Sequence, residues 1–431
     1  MRRFTISQKG FCKGILVLLA VTFILYSIPK AYGSGFAIYT QSASALGQGN
    51  AAIAHTYDST AIFFNPALIN KLEGTQIELG TTLIFPSRKF KSDSSGKTFK
   101  TEPDVFYPST LFITHKFNDK ISAGLGVFNP FGLATKWPDD WEGKYITTNS
   151  EMRTFNINPA VSYQITPKIA FAAGVDFLLL DATLEKKINL SPFRLPDAGQ
   201  KFKGDGNGVG YNFGILIEPH KDISIGAAYR SKIKVDLDGD ATFDLPAGAP
   251  PPIRERFPNT NGNADLTLPQ QVLVGIYYQG FDPLTFEVAL RWEGWSSYDQ
   301  LKINLDKPVA GSKTSVTPKD WKDTYSVNLG AKYQLNDSIA LLAGYLYGGN
   351  PIPDKTFEPG IPDADTQIFS FGTDIKYKKF KIDLAYSYQK LQSRKKNNSI
   401  TDPVSGLSDF SANGEYKSYL HMVGVSLTYL F

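Results

Sequence analysis

Apolar and polar residues alternate with a period of two along most of the chain. In residues 222–238, the odd positions from Ile223 to Val235 are apolar apart from Ser231, whereas charged residues such as Asp236 occupy even positions. This period is typical of a β-strand with one apolar and one polar face. The stretch is longer than most strands of globular proteins. We therefore expect a tilted membrane-spanning strand whose apolar face contacts lipid and whose charged face lines a wet lumen.

Fourteen segments of this kind follow one another along the chain. They span approximately residues 74–86, 104–117, 120–136, 153–166, 168–185, 207–219, 222–238, 265–280, 283–298, 321–335, 338–348, 366–377, 380–392 and 416–431. Single-chain bacterial barrels have an even number of strands, with short turns at one rim and long loops at the other, and short and long links alternate here. The pattern predicts an all-β fold in which residues 74–431 form a 14-stranded antiparallel transmembrane β-barrel. A large soluble β-protein is the alternative.

The last segment ends on an aromatic residue. Val423, Val425, Leu427, Tyr429 and Phe431 share one face of the predicted strand. A final amphipathic strand that ends in Phe is similar to the insertion signal of outer-membrane proteins. We therefore expect the barrel assembly machinery to be a partner through the Phe431 strand, with an ordinary edge strand as the alternative.

Residues 34–73 lack sustained alternation and combine small residues with many apolar ones. They are too apolar for a disordered tail. A barrel of about fourteen strands is also too wide for wall side chains alone to fill its lumen. We therefore expect residues 34–73 to fold back into the lumen as a hatch that plugs it.

The first 33 residues carry five basic residues and no acidic one, followed by an apolar run and a small-residue site. This order predicts a secretory signal peptide over residues 1–33 rather than a membrane anchor, because the run is shorter than a spanning helix. Its removal leaves 40 Lys and Arg against 41 Asp and Glu, which excludes nucleic acid as a partner. The one cysteine, Cys12, lies in the same segment.

The third segment is interrupted in the stretch GLGVFNPFGLATKW, residues 124–137. Pro130 has no amide hydrogen to donate and pushes Asn129 toward extended conformations, while Gly132 permits a backbone that other residues resist. We expect the break to leave ladder partners unsatisfied. That is tolerable in a membrane only where the break faces a water-filled or protein-lined gap. A bulge near a rim is the alternative.

Signals of enzyme chemistry are absent from the sequence. The four histidines are isolated, no GxSxG occurs, and the glycine-rich residues 204–210 precede a strand rather than a helix. The acidic residues 236–240 fit a solvated strand end better than a Ca²⁺ site. We therefore expect no catalytic residue, no metal and no cofactor.

The stretch SGFAIYTQSASALGQGNAAIAHTYDSTAIFFNPA resembles the N-terminus of the FadL family of outer-membrane transporters, which includes long-chain fatty-acid transporters and TodX-like carriers of aromatic hydrocarbons. The similarity continues through NPFGLATKW, AAYRSKIKVDLDGD, LTLPQ, WKDTYSVNLGAKYQL, PIPD and the Phe-terminated strand. It implies a fourteen-stranded barrel with an N-terminal hatch, in the outer membrane. Passive uptake of hydrophobic molecules, first of all long-chain fatty acids, would follow. Aromatic or other neutral hydrocarbons by the same route, or a general porin, remain open.

The resemblance also implies site residues. The motif Asn65, Pro66 and Ala67 would join hatch and barrel, or simply form a turn. A lateral opening at the kink of the third strand would involve Asn129, Pro130, Phe131, Gly132 and Leu133. The ligand pocket would include Phe36, Ile53, Phe63, Phe64, Lys187 and Lys322, the lysines meeting a carboxylate, although simple packing is an alternative for the apolar residues. Expected partners are hydrophobic small molecules, outer-membrane lipids and lipopolysaccharide, for a monomeric protein.

Overall fold

The computed structural model describes residues 35–55, 58–401, 408–409 and 411–431. The predicted signal peptide, residues 1–33, lies outside these residues. The chain forms a closed antiparallel barrel of fourteen strands, so the predicted fold and strand number are confirmed. The first and last strands, β1 (Thr75–Ser92) and β14 (Gly414–Leu430), pair along almost their whole length and close the wall.

The other twelve strands follow in chain order, and five of them run in two parts. The continuous strands are β2 (Ser109–Lys116), β4 (Asn149–Thr166), β5 (Ile169–Ile188), β6 (Ala198–His220), β11 (Ile339–Gly348), β12 (Thr366–Tyr377) and β13 (Phe380–Leu391). The two-part strands are β3 (Ile121–Phe128 and Gly132–Lys136), β7 (Ile223–Arg230 and Ile233–Asp244), β8 (Thr260–Leu268 and Gln271–Phe281), β9 (Leu284–Glu293 and Gln300–Val309) and β10 (Ser312–Pro318 and Thr324–Gln334).

Several short elements complete the described chain. The α-helices are α1 (Ala43–Gly47), α2 (Ala61–Phe64) and α3 (Pro251–Arg256), and 3-10 turns span Pro66–Lys71, Ser191–Phe193, Trp295–Ser297 and Asp354–Thr356. Short strands span Thr98–Lys100, Arg394–Lys396, Ile400–Thr401 and Ser408–Asp409. Within the described ranges, no helix is both long and apolar enough to cross a membrane.

Strand boundaries differ from the predicted ones mainly at the rim that carries the long loops. β1 continues to Ser92 rather than to residue 86, and β6 begins at Ala198 rather than at residue 207. In these added strand ends the outward-facing residues are charged or polar. The alternation of apolar and polar residues therefore stops there, although the backbone hydrogen bonds between strands continue. We call this the loop rim; the opposite rim carries the short turns.

The predicted faces of residues 222–238 are wrong beyond Ser231. The register of β7 against β6 advances by one residue between Arg230 and Asp236. An extra residue of this kind is a β-bulge, and it turns the later side chains to the opposite faces. Val235, which was expected to contact lipid, is buried inside, and Asp236 is exposed on the outer surface instead of lining a wet lumen.

Aromatic side chains mark two levels on the outer surface. On β14, Tyr419 and Tyr429 lie ten residues apart on the outward-facing positions. With about 3.3 Å per residue and a strand tilt of about 40°, they are about 25 Å apart along the barrel axis, which matches the apolar band of outer-membrane barrels. Tyr419 therefore marks the boundary nearest the loop rim.

Residues 35–72, the N-terminal segment, lie inside the barrel and are almost entirely buried where described. Helix α1 packs against β11 to β14, and the turn Pro66–Lys71 packs against β4 to β6. Wall glycines permit this close approach. A Cβ atom on Gly226 would lie 2.0 Å from the carbonyl oxygen of Ile53, and one on Gly344 would lie 2.0 Å from the amide nitrogen of Gly49.

Candidate functional site

The break in β3 lies where the strand loses one of its two neighbours. β3 pairs with β2 up to Val127 and with β4 up to Phe128. From Gly132 onward it pairs with β4 alone, and the register advances by one residue. The bulge considered as the alternative is therefore present, and it coincides with the place where pairing with β2 ends.

The N-terminal segment forms a short antiparallel bridge with the break. The amide of Ile38 donates to the carbonyl oxygen of Pro130 at 2.8 Å, and the amide of Gly132 donates to the carbonyl oxygen of Phe36 at 2.9 Å. These bonds run from the lumen side to the wall. The segment thus replaces part of a strand partner that β3 has lost.

Two side chains take up the remaining backbone groups of the break. Thr154 on β4 accepts from the amide of Phe131 through its hydroxyl oxygen at 3.0 Å and donates to the carbonyl oxygen of Phe131 at 2.6 Å. The side-chain amide of Gln41 donates to the carbonyl oxygen of Asn129 at 2.7 Å. The backbone groups of the break itself therefore have partners, which the N-terminal segment and Thr154 supply.

A cavity of about 490 Å³ extends from the lumen to the outer surface beside the break. Leu346 and Ile368 line it in the lumen, and Leu133 lines it in the wall. Its lining also includes Tyr107 and Phe155, which are 69% and 47% exposed. The cavity thus passes between the chain before β2 and the second part of β3, where the two strands do not pair.

The cavity lining is mainly apolar but contains two guanidinium and four carboxyl groups. These belong to Arg88, Arg153, Asp104, Glu151, Glu293 and Asp363. Arg88 on β1 donates to the carbonyl oxygen of Ala134 in the second part of β3 at 2.8 Å. A half-buried cation therefore spans the unpaired part of the wall.

Asp363 closes the cavity from the loop between β11 and β12. Its carboxylate accepts from the amide of Gly35 at 3.0 Å and so holds the start of the described N-terminal segment. Burial raises the pKa of Asp363 to about 7, although the amides of Ala364 and Gly35 and the charge of Arg394 lower it in part.

Asn65 attaches the second half of the N-terminal segment to the wall. Its side-chain amide donates to the carbonyl oxygens of Ile53 at 2.8 Å and of Ile215 on β6 at 3.1 Å. Its side-chain oxygen accepts from the amide of Ala67 at 3.1 Å and caps the turn that begins at Pro66. Asn65 therefore both forms the predicted turn and contacts the barrel.

Glu287 on β9 binds the same half of the segment through three backbone amides. Its carboxylate accepts from Ile53 at 2.5 Å, from Ala54 at 2.9 Å and from His55 at 3.1 Å. Glu287 is buried. Hydrogen bonds to a charged acceptor are stronger than hydrogen bonds between neutral groups, so Glu287 attaches residues 53–55 to β9 more strongly than a neutral side chain would.

Two buried cations on the wall also hold this half. Arg230 on β7 forms an ion pair with Asp176 on β5 and donates to the carbonyl oxygen of Phe63 at 3.2 Å. Lys381 on β13 lies 3.0 Å from the carboxylate of Asp58 in the N-terminal segment. All four charged side chains are buried.

A sequence profile of the family described as "Outer membrane protein transport protein (OMPP1/FadL/TodX)" matches residues 25–431. The chain belongs to this family. It is an outer-membrane transport protein, so the resemblance to FadL and the predicted location are confirmed.

Curated members of the family align with most of the chain. The long-chain fatty acid transport protein of Salmonella typhi is 28% identical over 420 residues, which cover 91% of this chain and 94% of the relative. That of Escherichia coli strain K12 is 27% identical over 419 residues, which cover 88% of this chain and 92% of the relative. These relatives are transport proteins, as the lack of catalytic motifs led us to expect.

Solved structures share the fold. A Pseudomonas aeruginosa FadL homologue superimposes with a TM-score of 0.83 at 20% identity and covers 92% of this chain and 99% of its own. The Pseudomonas putida toluene transporter TodX superimposes with a TM-score of 0.71 at 18% identity and covers 92% of this chain and 100% of its own. At these identities the likeness concerns the fold of the family barrel.

The predicted site residues separate into two groups in this family member. Phe36 and the residues of the β3 break, Asn129, Phe131, Gly132 and Leu133, line the cavity. Pro130 lies between them and accepts from Ile38.

The remaining predicted pocket residues do not line the cavity. Ile53, Phe63 and Phe64 are packed in a separate cluster deeper in the lumen, which corresponds to the packing alternative. Lys187 pairs with Asp139 at 2.6 Å, and Lys322 is exposed. The assignment of both lysines to the pocket is wrong because they lie near loops whose course the strand pattern did not fix.

Residues that the sequence did not reveal complete the site. Thr154, Gln41 and Arg88 all contact the break or the strand beyond it. The alternation along β1 could have indicated Arg88, because it is two residues from the buried Phe90 and therefore lies on the same inward face. Thr154 and Gln41 carry no comparable signal in one sequence.

Proposed function

We propose that this protein takes up hydrophobic molecules from outside the cell without energy coupling, with long-chain fatty acids as the first substrate class. The observation that carries the proposal is the cavity beside the β3 break, because it is mainly apolar and extends from the lumen to the outer surface of the wall. Its volume falls within the range of about 300–1,000 Å³ that small-molecule sites occupy.

The proposed route leaves the lumen sideways. Phe36 and Ile38 pair with the break from the lumen side, so this part of the N-terminal segment must separate before a molecule passes between β2 and β3. The gap is compatible with a membrane because its backbone groups have partners inside the protein. The N-terminal segment thus acts as the hatch, and its buried position in the lumen argues against a general porin.

Arg88 is the proposed partner of a fatty-acid carboxylate. It lines the cavity, belongs to the wall beside the gap and already binds one oxygen, that of Ala134. Lys187 and Lys322 do not reach the cavity. The long-chain fatty acid transport proteins of Salmonella typhi and Escherichia coli, which align over most of the chain, favour this substrate class.

Aromatic hydrocarbons are the second candidate class, and the cavity carries an observation in their favour. Its four carboxyl groups outnumber its two guanidinium groups, which disfavours an anionic head group. Phe36 also packs edge-on against Phe131 in the cavity lining, with ring centroids 6.2 Å apart, and these two rings offer apolar surface for a neutral aromatic ligand.

The two classes are separated by the substitution Arg88→Met. We expect oleate uptake by cells that express the variant to fall about tenfold, because one charge-assisted hydrogen bond contributes about 1.5 kcal/mol, while toluene uptake stays unchanged. The control is Arg153→Gln, which changes a cavity-lining cation that is 70% exposed and paired with Glu151. Wild-type cells that take up toluene but no oleate would establish the second class instead.

The route is tested by deleting residues 131–133, which removes the part of the break that pairs with Ala37 and Thr154. We expect a folded barrel whose uptake of either substrate class falls at least about tenfold because the wall is closed. Deletion of residues 246–248 in the loop after β7 is the matched control. Unchanged uptake in the first deletion would eliminate the lateral route.

A further inference from the structure

A row of three lysines lies on the outer surface of the barrel, and we call it the lysine row. Lys89 on β1 is the direct cross-strand partner of Lys417 on β14 on one side and of Lys100 in the strand Thr98–Lys100 on the other. All three are exposed. Like charges directly opposite each other in a sheet are destabilising. The arrangement therefore opposes folding unless an anion neutralises it.

One carboxylate partly compensates this charge. Glu415 lies 2.9 Å from Lys417 on the same strand. In the register, Lys89 has a lysine on each side, and its two strand neighbours offer it no directly opposite acid. The centre of the row therefore presents a net positive charge to the outside.

The lysine row lies directly beyond the aromatic boundary of the apolar band. Lys417 and Tyr419 are two residues apart on the same face of β14, which corresponds to about 5 Å along the barrel axis. Tyr388 on β13 lies 6.3 Å from Tyr419, measured between ring centroids, and Lys390 is the cross-strand partner of Tyr419. Lipid head groups occupy this level, next to interfacial aromatic residues.

Another part of the loop rim, at β6, differs from the lysine row in its charge and in its distance from the apolar band. There, Lys201 pairs with Glu185 at 3.0 Å, and Lys203 is the cross-strand partner of Asp240. These lysines are eight and ten residues beyond Tyr211, the outward-facing aromatic residue on the same strand. That corresponds to about 20–25 Å along the axis, which is outside the head-group layer.

We propose that the lysine row binds the phosphate groups of the phosphorylated glycolipid of the outer leaflet, lipopolysaccharide. The ammonium groups of Lys89, Lys100 and Lys417 pair with phosphate oxygens as point charges. The acyl chains lie below on the aromatic surface of Tyr388 and Tyr419. Phosphate fits better than a carboxylate head group because several cations converge on one level and a phosphate carries up to two charges.

The test uses the full chain, purified in detergent without divalent cations, and diphosphoryl lipid A as the probe. We compare the wild type with Lys89→Ala/Lys100→Ala/Lys417→Ala and with the control Lys201→Ala/Lys203→Ala. Each lysine near a lipid surface changes affinity about fivefold, so we expect lipid A binding to weaken about 100-fold in the first variant and less than about twofold in the control. Migration of unheated samples in electrophoresis verifies that each barrel is folded.

Two further probes identify what the row recognises. Dephosphorylated lipid A should bind the wild type as weakly as diphosphoryl lipid A binds the variant, and inorganic phosphate alone should show no saturable binding at the same concentrations. Equal loss in both variants, or equally tight binding of either further probe, overturns the proposal. Substrate uptake should stay unchanged in the lysine-row variant, so failure here and failure of the proposed uptake function are distinguishable.

Discussion

The two halves of the N-terminal segment contact the barrel in different ways. Residues 36–41 meet the β3 break through backbone and amide hydrogen bonds between neutral groups, and Tyr39 adds one charge-assisted hydrogen bond from its hydroxyl to Glu293 on β9 at 2.7 Å. Residues 53–65 meet the closed wall through buried charges, which belong to Glu287, Arg230 and Lys381. The first contact lies at a gap, and the second lies against continuous strands.

This difference indicates which half separates first. A neutral hydrogen bond contributes about 0.5–1.5 kcal/mol, whereas removal of one partner of a buried ion pair costs about 3–5 kcal/mol. Residues 36–41 therefore detach at lower cost than residues 53–65. We therefore predict that residues 36–41 move away from the gap while residues 53–65 stay in the lumen and keep it closed.

The largest expected effect is at the charged attachment. Arg230→Met leaves the buried carboxylate of Asp176 without its cation and removes the bond to Phe63. We expect a loss of about 3–5 kcal/mol in the free energy of unfolding, measured by urea denaturation in lipid. Arg230→Lys, which keeps the charge, should lose less. Equal losses would show that charge is not what holds this half.

A second substitution tests whether the charged attachment keeps the lumen closed. Glu287→Ala removes the acceptor of three buried amides, which costs about 3 kcal/mol or more. We expect faster hydrogen exchange at residues 53–55 and increased entry of large antibiotics into cells. Glu287→Gln retains one acceptor oxygen, so its hydrogen exchange and its antibiotic entry should lie between those of the wild type and the alanine variant. An intact permeability barrier in the alanine variant would contradict this role.

A smaller effect is expected at the gap. Thr154→Val removes both hydrogen bonds to the backbone of Phe131, which costs about 1–3 kcal/mol locally. Hydrogen exchange at residues 129–132 should accelerate while exchange at residues 53–55 stays unchanged. Thr154→Ser retains the hydroxyl group and is the matched control. Coupled acceleration at both places would show that the two halves move together.

The smallest effect concerns pH at the loop that holds Gly35. Burial raises the pKa of Asp363 to about 7, so the folded state binds this proton more tightly than the unfolded chain does. The contribution of Asp363 to stability is therefore greatest below about pH 4 and falls as the pH rises to about 7. After correction for intrinsic rates, exchange in residues 349–365 should be faster at pH 8 than at pH 5. Asp363→Asn should remove this difference.

Much of the barrel was predictable because its signal is local and repeated. Residues such as Phe171 and Phe177 face outward at even spacing on β5, and the lipid boundary makes this alternation strict. The bulge after Arg230 was not predictable, since a single inserted residue leaves the apolar pattern of residues 222–238 intact while it exchanges the faces. The alternation alone therefore predicted where the strands lie better than it predicted which residues of each strand face the lumen.

The candidate site was predictable only at its centre. Pro130 and Gly132 break a local rule of strands, so their position was visible in the sequence. The groups that pair with the break, Gln41 and Thr154, come from 88 and 23 residues away in the chain and depend on the fold. Lys187 and Lys322 were misplaced for the same reason, because loop geometry follows no short period.

The central claim is that uptake requires residues 36–41 to leave the β3 break. Ala37 and Phe131 form a bridge whose flanking hydrogen bonds make them a non-hydrogen-bonded pair, the kind in which side chains approach closely enough for a disulfide. The variant Ala37→Cys/Phe131→Cys is therefore the most direct test, with each single cysteine as a control. We predict that substrate uptake falls at least about tenfold when the pair is oxidised and recovers after reduction. Equal uptake by the oxidised and reduced forms would contradict the account.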